Sequence, residues 1–420
     1  MEVVYRRCAG LDIHKQSISA CVLIFIPGEE QPEIQKRTFG TFTAELVELK
    51  DWLQSCGVTH VVMESTGVYW IPLWSLLEGC FRLLLVNPRH FRAMPGRKTD
   101  QKDCQWLAQL LHYGLVRGSF VPPQEIRELR ELTRYRVKLL GQRNQMHNRI
   151  EKLLQQANVK LSSVASDILG VTGRHILVAL VGGNTDAESL AECARGTLRR
   201  KKAELAQALA SNLTEHQRFL LREFLEDLEF VEGKIVHIEE TIRTRLVPHE
   251  AILNRLKTIP GVNELTAATL VAELGVEMQQ FPDARHLASW AGLCPGDCES
   301  AGKRKNTRTR QGNPHVRRVL CQAAWAAAHT KHTYLAALFY RIASKGGRKR
   351  ALIAVARHLI VIAYHLIRTP LVYRDLGANY FDTLNAERTK RRLVRRLEDL
   401  GHEVILNPKR PRPPDYFSKE

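Results

Sequence analysis

Val3-Val4-Tyr5-Arg6-Arg7-Cys8-Ala9-Gly10-Leu11-Asp12-Ile13-His14-Lys15-Gln16-Ser17-Ile18-Ser19-Ala20-Cys21-Val22-Leu23-Ile24-Phe25 opens the chain. Two short apolar runs flank a polar step, and Pro27-Gly28 closes the second run. Apolar runs of this length bounded by turn residues read as strands, over 3–9 and 17–25. Residues 34–42 supply a third strand able to pair with the second. Further out, Leu46, Leu49 and Leu53 recur at helical spacing over 44–54. A short strand follows at 60–63, a helix at 71–78 and a strand at 82–86, which Asn87-Pro88 ends. Thr99 is placed to cap a helix running to about His112.

Three strands and then alternating helix and strand is the order expected of a ribonuclease-H-like α/β domain, over residues 1–122. The pattern then becomes helical. Ile126, Leu129, Leu132, Val137, Leu140, Met146, Ile150 and Leu153 recur among many charges, and a second such stretch runs over 198–246. Together they read as a helical hairpin or coiled-coil arm spanning 123–250, with short helices over 160–196. A mainly helical domain over 251–375 begins with a helix-hairpin-helix-like element, Ile259-Pro260-Gly261-Val262 followed by an Ala-rich helix. Its turn is able to offer backbone N–H groups to a phosphate. Residues 289–312 read as loop, and 314–341 and 350–368 as helices. A basic helix and a Pro-rich tail make up 376–420. The fold class is thus α/β plus α.

The net charge is +18. Residues 300–374 contain 16 Lys and Arg and no Asp or Glu, so nearly the whole excess lies in one stretch. An ordinary solvated surface intersperses both signs, so this stretch points to nucleic acid. Its candidate contacts are Lys303, Arg304, Lys305, Arg308, Arg310, Arg317, Arg318, Arg348, Lys349 and Arg350. The nine cysteines lack zinc-finger spacing and read as small core residues. No run reads as a bilayer span, since 351–367 is broken by Arg357, His358 and His365. The N-terminus lacks a signal-peptide pattern. The expectation is a cytoplasmic protein with no membrane partner, nucleoid-associated when active.

Four acids stand out in the first domain. Asp12 lies at the end of the first strand and Glu64 at the end of the central one. Asp100 and Asp103 share a helix face through their i,i+3 spacing. Strand ends are where α/β domains place ligands. Hard oxygen donors of this kind suit Mg²⁺ or Mn²⁺, and a pair of such ions serves phosphoryl transfer.

Several motifs add a resemblance. Gly10-Leu11-Asp12-Ile13-His14-Lys15, Met63-Glu64-Ser65-Thr66-Gly67-Val68-Tyr69-Trp70, Asn87-Pro88, Lys98-Thr99-Asp100 with Asp103, and Gly114-Leu115-Val116-Arg117-Gly118-Ser119-Phe120-Val121-Pro122 come first. Ile259-Pro260-Gly261-Val262, Trp290-Ala291-Gly292-Leu293-Cys294-Pro295, Glu299-Ser300-Ala301-Gly302-Lys303-Arg304, Gly312-Asn313 and Arg317-Arg318-Val319-Leu320 follow in order. Over residues 7–370 the chain resembles the DEDD transposases of insertion sequences of the 110 type. The resemblance implies a RuvC-like domain, a coiled-coil arm and a transposase domain. It implies metal ligation by Asp12, Glu64, Asp100 and Asp103, and a serine nucleophile, by position Ser300. It further implies target and donor DNA as substrates, a noncoding bridge RNA as guide, and a homo-oligomer, dimer or tetramer. Gln311 departs from the lysine frequent before Gly-Asn in that family. Two other readings stand beside this one. A junction-resolvase-like nuclease would employ the four acids with water as nucleophile and would not need Ser300. A non-catalytic nucleic-acid-binding protein would need neither.

Overall fold

The computed structural model describes residues 3–26, 28, 31–64, 67–87, 100–116, 118–296, 298–300, 303–306 and 308–407; for 100–102, 298–300 and 303–306 it describes backbone alone. The expected Thr99 cap, Ser65-Thr66, Ala301-Gly302 and most of the Pro-rich tail fall outside the described residues. The chain divides into two compact units, Met1–Arg127 and Glu128–Glu420.

The first unit is built on a five-stranded sheet in the order β3-β2-β1-β4-β5. Its elements are β1 (Arg7–Ile13), β2 (Ser17–Ile24), β3 (Glu33–Gly40), α1 (Thr43–Ser55), β4 (His60–Glu64), α2 (Trp70–Leu77), β5 (Arg82–Val86) and α3 (Asp100–His112). β3, β2 and β1 are antiparallel neighbours, and β1, β4 and β5 run parallel. β1 starts four residues later than the apolar run suggests. Pairing with β2 extends from Arg7↔Ile24 to Ile13↔Ile18, whereas the Val4 and Tyr5 N–H groups donate to the His112 carbonyl at the end of α3. Asp12 therefore lies within the strand. β3 carries Glu33, Gln35, Lys36 and Arg37 and forms an edge, the usual place for charge that discourages further pairing.

α1 and α2 cover one face of the sheet, where Leu49, Trp52, Leu53, Leu73 and Leu77 pack on Leu11, Ile13 and Met63. α3 covers the other, with Leu107, Ala108 and Leu111 against Cys8, Leu23, Val62 and Val86. Each large apolar side chain contributes about 1.5–3 kcal/mol when fully buried. Gly10 lets α3 lie close to β1, since a Cβ there would overlap the Cys104 carbonyl oxygen and sit 2.5 Å from the Ala108 nitrogen. Cys8, Cys21 and Cys104 fill this layer. Burial, and next the neighbouring thiols, push Cys8 and Cys21 up to about 12; burial raises Cys104 as well.

α4 (Gln124–Gln156) starts at the end of the first unit and supplies the first long helix of the second. There follow α5 (Leu161–Val164), α6 (Val171–Val181), α7 (Ala187–Ala191), α8 (Lys202–Leu209) and α9 (Glu215–Leu246). α9 returns antiparallel along α4. Arg136 and Arg143 donate to Glu239 and Glu232 at 2.7 and 2.8 Å, and Leu139, Val231 and Ile235 form a seam. The four short helices share a core with Ile150, Leu154, Leu221 and Leu228. The second helical stretch does not run unbroken from residue 198. Thr214 begins α9 afresh, its hydroxyl accepting from the Gln217 N–H while Gln217 Oε1 accepts from the Thr214 N–H.

The remaining elements are α10 (Glu250–Lys257), α11 (Glu264–Leu274), α12 (Ala284–Trp290), β6 (Cys298–Ser300), β7 (Lys303–Asn306), α13 (Pro314–His329), α14 (Tyr334–Gly346), α15 (Arg348–Arg368), α16 (Tyr380–Leu384) and α17 (Ala386–Glu398). α10 and α11 form the expected helical hairpin. Gly261 is at φ +84°, and a Cβ there would overlap the Ala323 carbonyl oxygen and lie 2.7 Å from the Ala327 nitrogen, so the turn is pressed onto α13. Residues 289–312, read as loop, contain the β6–β7 hairpin. The helix expected over 314–341 is two, because His332 takes φ +63° and Thr333 caps α14 through the Ala336 N–H. α15 also corrects an expectation, being 21 residues long and apolar enough by length and composition to cross a membrane. Its apolar residues, among them Ala351, Val355, Leu359, Ile360 and Ala363, are buried in the core formed with α10–α14, the pattern of a core helix.

Candidate functional site

Strand register relates two acids of the first unit, Asp12 and Glu64. β1 and β4 pair in parallel from Cys8↔His60 to Leu11↔Met63, so the next step along both strands sets Asp12 beside Glu64. Side chains alternate across a sheet. Cys8 and Val62 face α3, and Asp12 and Glu64 share their parity. Asp12 is 4% exposed and Glu64 half-buried. The close approach at Gly10 lays the Cys104–Ala108 turn of α3 against β1, with half-buried Asp103 one residue before Cys104. The Cys104 thiol registers the Asp12 charge, which raises it further after burial has done most of the work. Asp100 opens α3, but its side chain is not described. His14 Nε2 lies 3.3 Å from Asp12 Oδ2. Among the described residues no three His, Cys, Asp or Glu side chains form a metal-binding cluster.

Ser300 belongs to the second unit. It ends β6, paired with Lys303 of β7 next to the hairpin turn. Glu299 pairs with Arg304 on the same hairpin. A ladder of backbone contacts extends beneath: the Gly296 N–H donates to the Arg308 carbonyl at 2.9 Å, and Pro295 bridges Thr309. Gly292 and Gly312 pinch the base. A Cβ on Gly312 would lie 2.5 Å from the Ala291 carbonyl carbon, and Gly292 is at φ +70° with no room toward the Arg310 oxygen.

Asn313 ties this base to a buried charge network. Its Oδ1 accepts from the His315 and Val316 N–H groups and starts α13, while its Nδ2 donates to Glu273 Oε2 at 2.8 Å. Glu273 is 0% exposed. Arg134 donates to both its oxygens at 2.7 and 2.9 Å, and Arg130 stands 3.5 Å away while bonding the Ala272 and Glu273 carbonyls. Burial alone would raise the Glu273 carboxyl, but the hydrogen bonds from Arg134 and Asn313 and the charges of both arginines outweigh it and hold it below the usual range. Burial lowers Arg130 to about 10, against the opposing pull of Glu273. Sequence reasoning missed this network. Its signal is a lone carboxylate in the apolar run Ala267-Ala268-Thr269-Leu270-Val271-Ala272-Glu273-Leu274.

The basic candidates scatter over the second unit. Lys303, Arg304 and Lys305 lie on β7, their side chains not described. Arg308 and Arg310 are exposed below the hairpin. Arg317 is half-buried on α13, and exposed Arg318 lines a cleft of about 260 Å³ with Arg134, Arg136 and His315. Burial, then the Arg134 charge, lower the His315 ring. Arg348, Lys349 and Arg350 are exposed in the first turn of α15, where cations oppose the helix dipole and so gather positive potential. In the helical hairpin the Val262 N–H is taken by the Ile259 carbonyl, so that amide is not offered outward.

Residues 9–159 match the DEDD transposase model of the IS110 type, and residues 253–341 match the transposase model of the IS116/IS110/IS902 family. The chain belongs to the IS110 family of transposases. The pilin gene-inverting protein of Moraxella bovis is 24% identical over 374 residues, covering 86% of this chain and 95% of that protein. The counterpart from Moraxella lacunata is 23% identical over the same span. The transposase for insertion sequence element IS1111A of Coxiella burnetii (strain RSA 493 / Nine Mile phase I) is 25% identical over 301 residues, 69% of this chain and 72% of that protein. In this transposase the first match contains Asp12, Glu64, Asp100 and Asp103, and the second contains Glu273, Ser300 and Asn313. Membership implies DNA as the partner.

Proposed function

We propose that this transposase cuts and rejoins DNA through Ser300, with the acids of the first unit as a divalent-metal site. The observation carrying the serine reading is the hairpin. It sets Ser300 opposite Lys303 on an arm whose base is fixed by Gly292, Gly312 and the Asn313–Glu273 bond. Lys303, Arg304 and Lys305 in the same hairpin favour a phosphate there.

Asp12, almost fully buried within β1, and Glu64, which ends β4, each follow the last registered β1–β4 pair by one residue, and like charges so placed favour a cation among them. The hard-oxygen set fits Mg²⁺ or Mn²⁺, held by Asp12, Glu64, Asp100 and Asp103. Such an ion polarises phosphate oxygens and stabilises charge on a departing one. Serine attack forms an Oγ–P bond and breaks the P–O bond to one DNA strand, the hydroxyl proton ending on the released oxygen. The reverse attack by a new strand end restores the serine, so rejoining needs no added energy source.

The sheet order supports a RuvC-like first domain, and the α4–α9 pair supports a coiled-coil arm that assembles a multimer. The family and the acid-free basic stretch support a noncoding guide RNA alongside target and donor DNA. The serine mechanism is tested with end-labelled DNA. The wild-type chain forms a covalent protein–DNA adduct that survives denaturation, and Ser300→Ala loses adduct and recombinant product while still binding nucleic acid. Recombination by Ser300→Ala at the wild-type rate would leave the acids as the cutting site, with water as nucleophile.

A further inference from the structure

The helical half of the chain carries a second charged feature, away from the Ser300 hairpin in sequence. A cleft of about 640 Å³ opens between α14 and the α16–α17 segment. Arg341, Ser344 and Lys345 line one wall, and Arg388, Thr389 and Arg392 the other. All four cationic residues are exposed. Among the described residues none of the four makes an ion pair, although Asp382 also lines the cleft. On α17 itself Lys390 pairs with Glu387, on a different stripe.

The sequence of α17 explains the arrangement. Arg388, Arg392 and Arg396 recur every four residues, so a row of guanidinium groups runs along one side of the helix at about 6 Å steps. Leu393 and Leu397 occupy a neighbouring stripe. A row of cations facing two more across a cleft fits a polyanion with regularly spaced charge. Among the described residues the wall has no free aromatic platform for single-stranded bases. Phe381 is stacked on Tyr334, with centroids 5.3 Å apart and planes at 25°, and it lies under the Arg341 guanidinium at 4.7 Å. Proteins that hold single strands combine cations with open aromatic faces, whereas duplex backbone needs the cations alone. The α16–α17 wall also lies beyond residue 341, where the second family match ends.

We propose that the cleft between α14 and α17 is a clamp for the phosphate backbone of duplex DNA, with Arg341, Lys345, Arg388 and Arg392 as its contacts. It binds without regard to sequence and adds a grip separate from the Ser300 hairpin. The proposal rests on the reading that this chain acts on DNA.

The test is fluorescence anisotropy of the full chain with a labelled duplex of arbitrary sequence, over a salt titration. Neutralising one phosphate-binding cation lowers the log–log salt slope by about 0.9 and the affinity by about 5-fold at 0.15 M salt. Arg388→Gln with Arg392→Gln, both exposed and on α17 alone, is expected to lower the slope by ~2 and the affinity by about 25-fold. The charge-keeping pair Arg388→Lys with Arg392→Lys retains most of the affinity. Arg199→Gln with Arg200→Gln, exposed and removed in sequence, is the charge-matched control and leaves the slope near wild type. An unchanged slope in the α17 glutamine variant overturns the clamp, as does an equal loss in the control. A loss confined to a labelled RNA, with duplex binding intact, also overturns it. If the unsubstituted chain binds no duplex, the DNA reading falls together with the clamp.

Discussion

Glu273→Gln removes the charge at the centre of the network that joins α4, α11 and α13. Breaking a buried ion pair by removing one partner costs about 3–5 kcal/mol. Two features place this case lower. The Arg134 side chain is 38% exposed and recovers part of its hydration, and Arg130 keeps its bonds to the Ala272 and Glu273 carbonyls. Glutamine also keeps one acceptor oxygen for Arg134 or Asn313. The expected loss is about 2–3 kcal/mol, between a charged hydrogen bond and a fully stranded charge. It should appear in urea unfolding of the full chain, and as faster amide exchange in peptides from α11 and the start of α13. The pH dependence has a fixed sign. The Glu273 carboxyl is held below its ordinary value of 4.5, so its stabilisation is complete above that pH and is lost as pH falls through the folded value. The gap between wild type and Glu273→Gln is therefore widest near neutral pH and closes on acidification. A gap under ~1 kcal/mol at pH 7, smaller than a typical charged hydrogen bond, would refute the network as a stabilising element. So would a gap that persists unchanged to pH 3.

Asp12→Ala and Glu64→Ala are each expected to abolish DNA strand exchange, as EDTA does for the wild type, while far-UV circular dichroism and the unfolding midpoint stay close to wild type. Full activity in either variant removes the metal site. Reversing Arg348, Lys349 and Arg350 to Glu is expected to weaken binding to nucleic acid of any sequence and flatten its salt dependence; an affinity that does not move across the titration would show that this turn of α15 faces no polyanion.

Much of the first unit is legible in the sequence because its strands are short apolar runs closed by turn residues. β2, β3, β4 and β5 each start within one residue of the position those runs predict. The start of β1 is not, because Val3–Tyr5 are as apolar as a strand and only the partner's length decides where pairing begins. The β6–β7 hairpin is hidden for a different reason. Glu299-Ser300 and Lys303-Arg304-Lys305 have no apolar alternation, so backbone pairing alone makes them strands. The break between α13 and α14 lies in Thr330–Thr333, where a left-handed His332 interrupts an otherwise helical, alanine-rich run. Site residues follow the same division. Asp12 and Glu64 carry local signals because each closes an apolar run, although β1 continues one residue past Asp12. Single bonds of the Glu273 network span up to 143 positions in sequence, so the network exists only through packing.

The three thiols beneath the acids turn the α3 layer into its own chronometer. A thiol at about 12 is ionised in roughly one molecule in 10⁵ at neutral pH, and only the thiolate attacks a disulfide reagent. Cys80 is exposed and should be consumed at once. Cys8, Cys21 and Cys104 have to wait until the helix lifts from the sheet. Their lag behind Cys80 measures how often that lifting occurs. Comparing the lag with and without bound DNA would show, with no label or substitution introduced, whether substrate holds the lid of the acidic site shut.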